Sequence, residues 1–301
     1  MFKKEFLPGL KCTHLKTCVH CLASKQHRVS FQKNDTSKKE NVLELIHLDV
    51  SGPLKVRTQS GVLYFVTFID DYSRKVWAFL LKTKDQVLDV FKYFQAMVER
   101  ETWLKLKCIR SDNGGEYIGP FDEYCRSQGS RYQKTPQQNG VAERMNRTIV
   151  ERTRCLHSHA KLPKSFWDEA MRTVIDVINL SPSYPLNGDV PERVWTGKDV
   201  SYEHLRVFGC RAFVHIPKDE RSKLDSKSRQ CILLSYGRDE FGYRLWDPVD
   251  MKIIRSRDVV FLEDQTIANF GKGDQSKPKS SDLIDLDPSP SSSVDDENGR
   301  Y

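Results

Sequence analysis

A chain of 301 residues, 38% of them apolar, with no run of 18 apolar positions, has length for two domains and enough apolar mass for a core; this excludes wholesale disorder and a membrane-spanning helix. Its 48 Lys and Arg against 41 Asp and Glu leave +7, unevenly placed: residues 271–301 hold seven acids and four bases, the rest of the chain is at +10, and residues 1–40 alone are at +6. A basic body suits a polyanion such as nucleic acid, although a merely soluble basic surface has the same composition. No apolar stretch follows the first charges, so a secretory signal is not expected. The eight cysteines then read as reduced thiols, mostly buried, of a nuclear or cytoplasmic protein.

In chain order, the alternation over Leu43–Asp49 predicts a strand that Ser51-Gly52-Pro53 ends. Val62–Ile69 and Lys75–Leu81 read as two more strands, joined through a turn at Asp70–Ser73. Val87, Val90, Phe91, Phe94, Met97 and Val98 recur at helical spacing within Asp85–Thr102. Leu104–Arg110 returns to strand, followed by a turn at Asp112–Gly115, a short helix at Phe121–Ser127 and a short strand at Arg131–Gln133. Gln137–His159 and Ser165–Leu180 are helices, and Ser181–Pro191 a connector. Hairpin-linked strands followed by alternating helices and strands predict a mixed sheet with helices on its faces, in which strands one and four can be neighbours. Arg206–Ile216, Gln230–Tyr236, Tyr243–Trp246 and Ile253–Phe261 are short β-rich runs with turns between them, the pattern of a small barrel. Beyond Gly271 the Ser, Asp, Pro and Lys composition predicts a disordered tail.

Three carboxylates occupy places suited to chemistry. Asp49 ends the first strand, Asp112 follows the fourth, and Glu143 stands near the start of the long helix. If strands one and four are neighbours, both Asp side chains project from one end of the sheet, and a helix across that end can add Glu143. Three carboxylates without His or Cys companions favour a hard cation, Mg²⁺ or Mn²⁺, suited to in-line displacement at a phosphodiester. Taken singly, each also reads as an ordinary turn or cap residue; Asp70 and Asp71, equally acidic, are assigned to the hairpin.

HLDVSGP (His47–Pro53), FVTFIDDYSRKVW (Phe65–Trp77), SDNGGEY (Ser111–Tyr117) and TPQQNGVAERMNRTIVERTR (Thr135–Arg154) together resemble the integrase of plant copia-type LTR retrotransposon Pol polyproteins. The segment Cys210–Glu263, with VHIPKDER at Val214–Arg221, resembles the SH3-like barrel that follows that core. The resemblance implies an α/β fold: an RNase H-like mixed five-stranded sheet flanked by helices over residues 41–200, then a small SH3-like β barrel over 205–263. It implies Asp49, Asp112 and Glu143 as catalytic metal ligands, DNA integration by 3′-end processing and strand transfer as the activity, and DNA as the partner of a homo-oligomer.

On the long helix, Val141, Met145, Ile149, Arg152 and Leu156 form the stripe expected to face the sheet. Glu143, Asn146, Arg147, Val150 and Arg154 lie on another face, so Arg147 and Arg154 are candidate phosphate contacts, with Asn146 beside them. Gln138 and Asn139, with Gln137, open the helix as candidate DNA contacts or caps. In the leader at residues 1–40, Cys18 and Cys21 match the Cys half of the His-His-Cys-Cys zinc finger that the resemblance implies; its His half would precede Met1, so the expectation is a vestigial half-site. A makeshift site from Cys12, His14, Cys18 and Cys21, and a leader with reduced thiols only, are the two other readings.

Asp112 to Glu143 is a separation of 31 positions, several fewer than is usual in the resembled family, and the difference falls around Lys134-Thr135-Pro136. A shorter loop there is expected to draw the long helix away from the two Asp. Two readings therefore stand together: an active integrase, and an inactive remnant that keeps the fold and binds nucleic acid. A plain RNase H-type nuclease is disfavoured by the TPQQNGVAERMNRT string.

Overall fold

The computed structural model describes residues 39–58, 60–112, 114–134, 139–237 and 242–267, all of them except Lys39 within the unit Glu40–Tyr301. The leader with Cys18 and Cys21, the candidate DNA contact Gln138 and the tail beyond Gly271 fall outside the described residues.

Strands β1 (Ile46–Ser51), β2 (Tyr64–Asp70), β3 (Val76–Leu81), β4 (Cys108–Ser111) and β5 (Arg131–Lys134) form one sheet in the order β3-β2-β1-β4-β5. The β1–β2 and β2–β3 pairs are antiparallel, and β1–β4 and β4–β5 are parallel. The sheet is therefore mixed, with strands one and four adjacent. Alternation along each strand sorts side chains between two faces. Ile46, Leu48, Val66, Phe68 and Ile109 pack with Phe91 and Phe94 of α1 (Val87–Thr102) and Phe121 of α2 (Pro120–Ser127). Phe65 and Ile69 pack with Ala142 and Ile149 of α3 (Gly140–Ala160) and with Met171, Val174 and Ile178 of α4 (Trp167–Asn179).

The β2–β3 connection is the tight turn expected, and Asp70 explains it. Its buried carboxylate accepts hydrogen bonds from the backbone N–H of Leu43 and Ser73 and from the Ser73 hydroxyl. The β1–β2 connection is instead a loop of residues 52–63. It begins at Gly52 with φ +129°, where a Cβ would lie 2.8 Å from the Leu63 carbonyl oxygen. The fourth strand is shorter than expected because Trp103, in a left-handed conformation (φ 58°), ends α1 and residues 104–107 make the return. At the sheet's other edge, Lys75 pairs with Glu192 (2.9 Å) and stands 5.4 Å from the ring centres of Trp77 and Trp195, pinning α5 (Pro191–Thr196) to β3.

Strands β6 (Cys210–His215), β7 (Ser228–Tyr236), β8 (Tyr243–Asp247), β9 (Lys252–Ser256) and β10 (Val259–Thr266) form a second, antiparallel sheet in the order β10-β6-β7-β8-β9. The single run expected at Ile253–Phe261 is two strands at opposite edges, parted at Arg257 and Asp258. This sheet shares a core with the helices: Phe208, Ile232, Leu234 and Trp246 pack on Ala160, Phe166 and Ala170. Glu169 of α4, 4% exposed, accepts from Arg244 (2.6 Å) and from the Ser235 hydroxyl (2.7 Å) across that junction. Of the described cysteines, Cys125, Cys210 and Cys231 are buried as free thiols, whereas Cys155 is exposed on α3, contrary to the buried-thiol expectation.

Candidate active site

The β1–β4 register pairs Ile46 with Ile109 and His47 with Arg110. Carried three residues on, it sets Asp49 level with Asp112, just past the end of β4. Both positions alternate onto the face covered by α3, opposite Ile46, Leu48 and Ile109. Asp112 also makes its own turn, since its Oδ1 accepts the Gly114 N–H at 3.1 Å.

Helix α3 is fixed over this sheet end by two amides. Asn139, at the helix N-cap position and 0% exposed, donates its Nδ2 to the Leu48 carbonyl at 3.1 Å. Asn146, 5% exposed, donates its Nδ2 to Asp49 Oδ2 at 2.7 Å and accepts from the Thr67 hydroxyl at 2.8 Å. Of the two readings of Asn139, DNA contact or cap, it takes the cap position and is buried, and Asn146, a candidate nucleic-acid residue, is buried too. The inward stripe of α3 is Ala142, Asn146, Ile149 and Thr153, a phase different from the apolar pattern, and Arg152 lies in solvent. Arg147 and Arg154 are exposed on α3. The helix is not drawn off the sheet; Asn139 and Asn146 hold it there on either side of Glu143.

Glu143 itself is exposed. It is still felt at Asp49, whose carboxyl is pushed up to about 6, first by burial and then by the Asp112 charge, with Glu143 and Glu116 adding to it; the Asn146 bond works in the opposite direction. Glu116 was not singled out in the sequence. It sits in the SDNGGEY turn and pairs with Lys84 at 3.1 Å. Tyr117, next to it, is 1% exposed, and its hydroxyl has no hydrogen-bond partner; burial and the Asp49 and Asp112 charges push its ionisation far up.

The donor chemistry of this end of the sheet fits a hard divalent cation: the groups are carboxylate oxygens, and their mutual repulsion is what a cation relieves. The placement is less complete. Among the described residues, no three His, Cys, Asp or Glu side chains come together closely enough to hold a metal ion.

A mixed β3-β2-β1-β4-β5 sheet with two aligned Asp under a long helix defines the class: residues 40–149 match the integrase core domain family, and residues 210–275 match the retroviral polymerase SH3-like domain family. The chain thus carries an integrase core followed by the SH3-like domain of retroviral polymerases. It is 59% identical over 268 residues to the retrovirus-related Pol polyprotein from transposon TNT 1-94 of Nicotiana tabacum, a match covering 87% of this chain and 20% of that protein. It is 34% identical over 262 residues to the corresponding polyprotein from transposon RE2 of Arabidopsis thaliana, covering 85% of this chain and 18% of the relative. The chain therefore spans about a fifth of the length of these relatives. Among solved structures, the simian T-cell lymphotropic virus intasome in complex with the PP2A regulatory subunit B56 gamma is 16% identical, with a TM-score of 0.45 over 80% of this chain and 87% of that one. The HTLV-2 integrase catalytic core domain in complex with magnesium is 18% identical, with a TM-score of 0.39 over 50% of this chain and 95% of that one.

Proposed function

We propose that the core is a metal-dependent polynucleotidyl transferase, trimming the 3′ end of an element's DNA and joining that end to a target phosphodiester. The observation that supports this reading best is the level alignment of Asp49 and Asp112 on adjacent parallel strands, with the Asp49 carboxyl pushed to about 6 by burial and neighbouring negative charge. A hard cation, Mg²⁺ or Mn²⁺, held by Asp49 and Asp112 with Glu143 completing the set, would neutralise phosphate charge and raise the nucleophilicity of the attacking oxygen.

The protein's own groups do the rest. Asn146 fixes Asp49 through Oδ2 and leaves Oδ1 for a ligand, and the Gly114 N–H orients Asp112. Arg147 and Arg154 stand in solvent along the same helix, where phosphates of the bound DNA would lie. The proposed partners are element ends and target DNA, acted on by a homo-oligomer in the nucleus or cytoplasm.

A second reading, an inactive remnant that binds nucleic acid without catalysis, is favoured by one observation: Glu143 is exposed and not grouped with the two Asp closely enough for three-point ligation. Strand transfer by the purified full chain with Mg²⁺ or Mn²⁺, compared with the Asp112→Asn variant, separates the two. Joined product that vanishes in the variant supports the enzyme. Equal DNA binding by both proteins with no product from either supports the remnant.

A further inference from the structure

Between the loop after β1, the middle of α3 and the start of α4 lies an open groove of about 740 Å³. Its floor is apolar, with Val150, Trp167 and Met171, and its rim is basic, with Lys55, Arg154 and Lys164. No acid lines it, and none of those three bases has an ion-pair partner among the described residues. Thr153 also lines the groove; it is 7% exposed, and its Oγ1 has no hydrogen-bond partner. Such a hydroxyl is unfavourable unless something supplies a polar atom. The surface therefore calls for a ligand that is aliphatic, acidic and able to hydrogen-bond.

The chain contains one segment of that chemistry, Asp282-Leu283-Ile284-Asp285-Leu286-Asp287: three acids, three aliphatics and no base. The described structure ends at Ile267, which packs with Leu156 of α3 on the cluster joining the helices to the second sheet. The chain thus departs beside the helix that walls the groove. Fourteen residues, 268–281, separate that point from the acidic segment, a reach of up to roughly 45 Å. The groove wall from Val150 to Ser158 is only about 12 Å of helix. A nucleic-acid backbone would answer the three bases but would leave the Trp167 and Met171 floor unused.

We propose that Asp282–Asp287 docks into this groove of its own chain, its aliphatic side chains on Val150, Trp167 and Met171 and its carboxylates on Lys55, Arg154 and Lys164. The observations behind this interaction do not involve Asp49 or Asp112. Because Arg154 belongs both to the groove and to the face proposed for DNA, the docked segment and DNA would compete for it.

The test is amide hydrogen exchange of residues 55–57, in the loop at the groove's edge, in the full chain without DNA. The comparison protein carries Leu283→Asp, Ile284→Asp and Leu286→Asp, changes outside the described residues. A tether gives a local concentration of roughly 1 mM, so an intrinsic affinity of about 0.1 mM suffices for about tenfold slower exchange in the unaltered chain. Lys164→Glu should lose most of that protection. Equal exchange in the unaltered and triple-variant proteins would overturn the proposal. Protection that fades on dilution would place a second copy's tail in the groove, and protection that appears only on adding duplex DNA, equally in both proteins, would make the groove a nucleic-acid surface; either result also overturns it.

Discussion

In the proposed site Asp49 would carry either a proton or a cation. Its folded pKa, about 6, lies above the ordinary value of 3.8, so the folded state binds the proton more tightly than the unfolded one. The resulting stabilisation is fully present below pH 3.8 and is lost as pH rises through about 6. Asp49→Asn should therefore stabilise the metal-free protein by roughly 2–3 kcal/mol at pH 7 and by almost nothing at pH 4, measured by urea unfolding. Mg²⁺ should raise the melting temperature of the unaltered protein at pH 7.5 and lose that effect near pH 5, where protons occupy Asp49; a Mg²⁺ effect independent of pH would dissociate Asp49 from metal binding. Asn146→Ala removes the donor to Asp49 Oδ2 and the shorter of the two hydrogen bonds made by the Thr67 hydroxyl, which keeps the Asp49 carbonyl at 3.3 Å, and should cost about 1–3 kcal/mol. Loss of the donor should also move the Asp49 carboxyl further up, which carboxyl-carbon NMR titration would detect and which a purely packing role would not produce.

At the scale of elements, the second sheet is built onto the core rather than appended to it. Gly209 enters β6 with φ +77°, and a Cβ there would run into the Cβ and backbone of Ala160 at the end of α3. Gly209→Ala should destabilise by roughly 2–4 kcal/mol through left-handed strain and overpacking together. Glu169→Ala leaves Arg244 without its carboxylate at the junction and should cost about 3 kcal/mol. If the two sheets melted in separate transitions, each unaffected by either change, the shared core would not couple them. The elements themselves were largely legible, because β-branched runs and helical periods report burial directly: α1 and the central strands follow from Phe91, Phe94, Val66 and Phe68. The phase of α3 was not. Apolar patterning aligned Val141, Met145 and Ile149, but the sheet end beneath α3 presents Thr67, Asp49 and the Leu48 carbonyl, so its inward residues include two polar amides. Asp49 and Asp112 were legible from their places late in the first strand and just past the fourth, whereas Glu116 and Tyr117 entered only as members of the SDNGGEY string.

For the molecule as a whole, the +10 charge before Gly271 predicts DNA binding through phosphates, weakly selective for sequence. Affinity for unrelated duplexes should be similar and should fall steeply between low and moderate salt. A flat salt response would remove the phosphate-tracking role of Arg147 and Arg154.

The most direct test of the proposed catalysis is a strand-transfer assay with the purified 301-residue chain, DNA carrying the element's own ends, and Mg²⁺ or Mn²⁺. Joined product is expected, and it should disappear on chelation and in Asp112→Asn, while DNA affinity in that variant is unchanged or slightly higher, since an amide supplies oxygen without the charge that holds the cation. Retention of DNA binding with no product under either metal would contradict it.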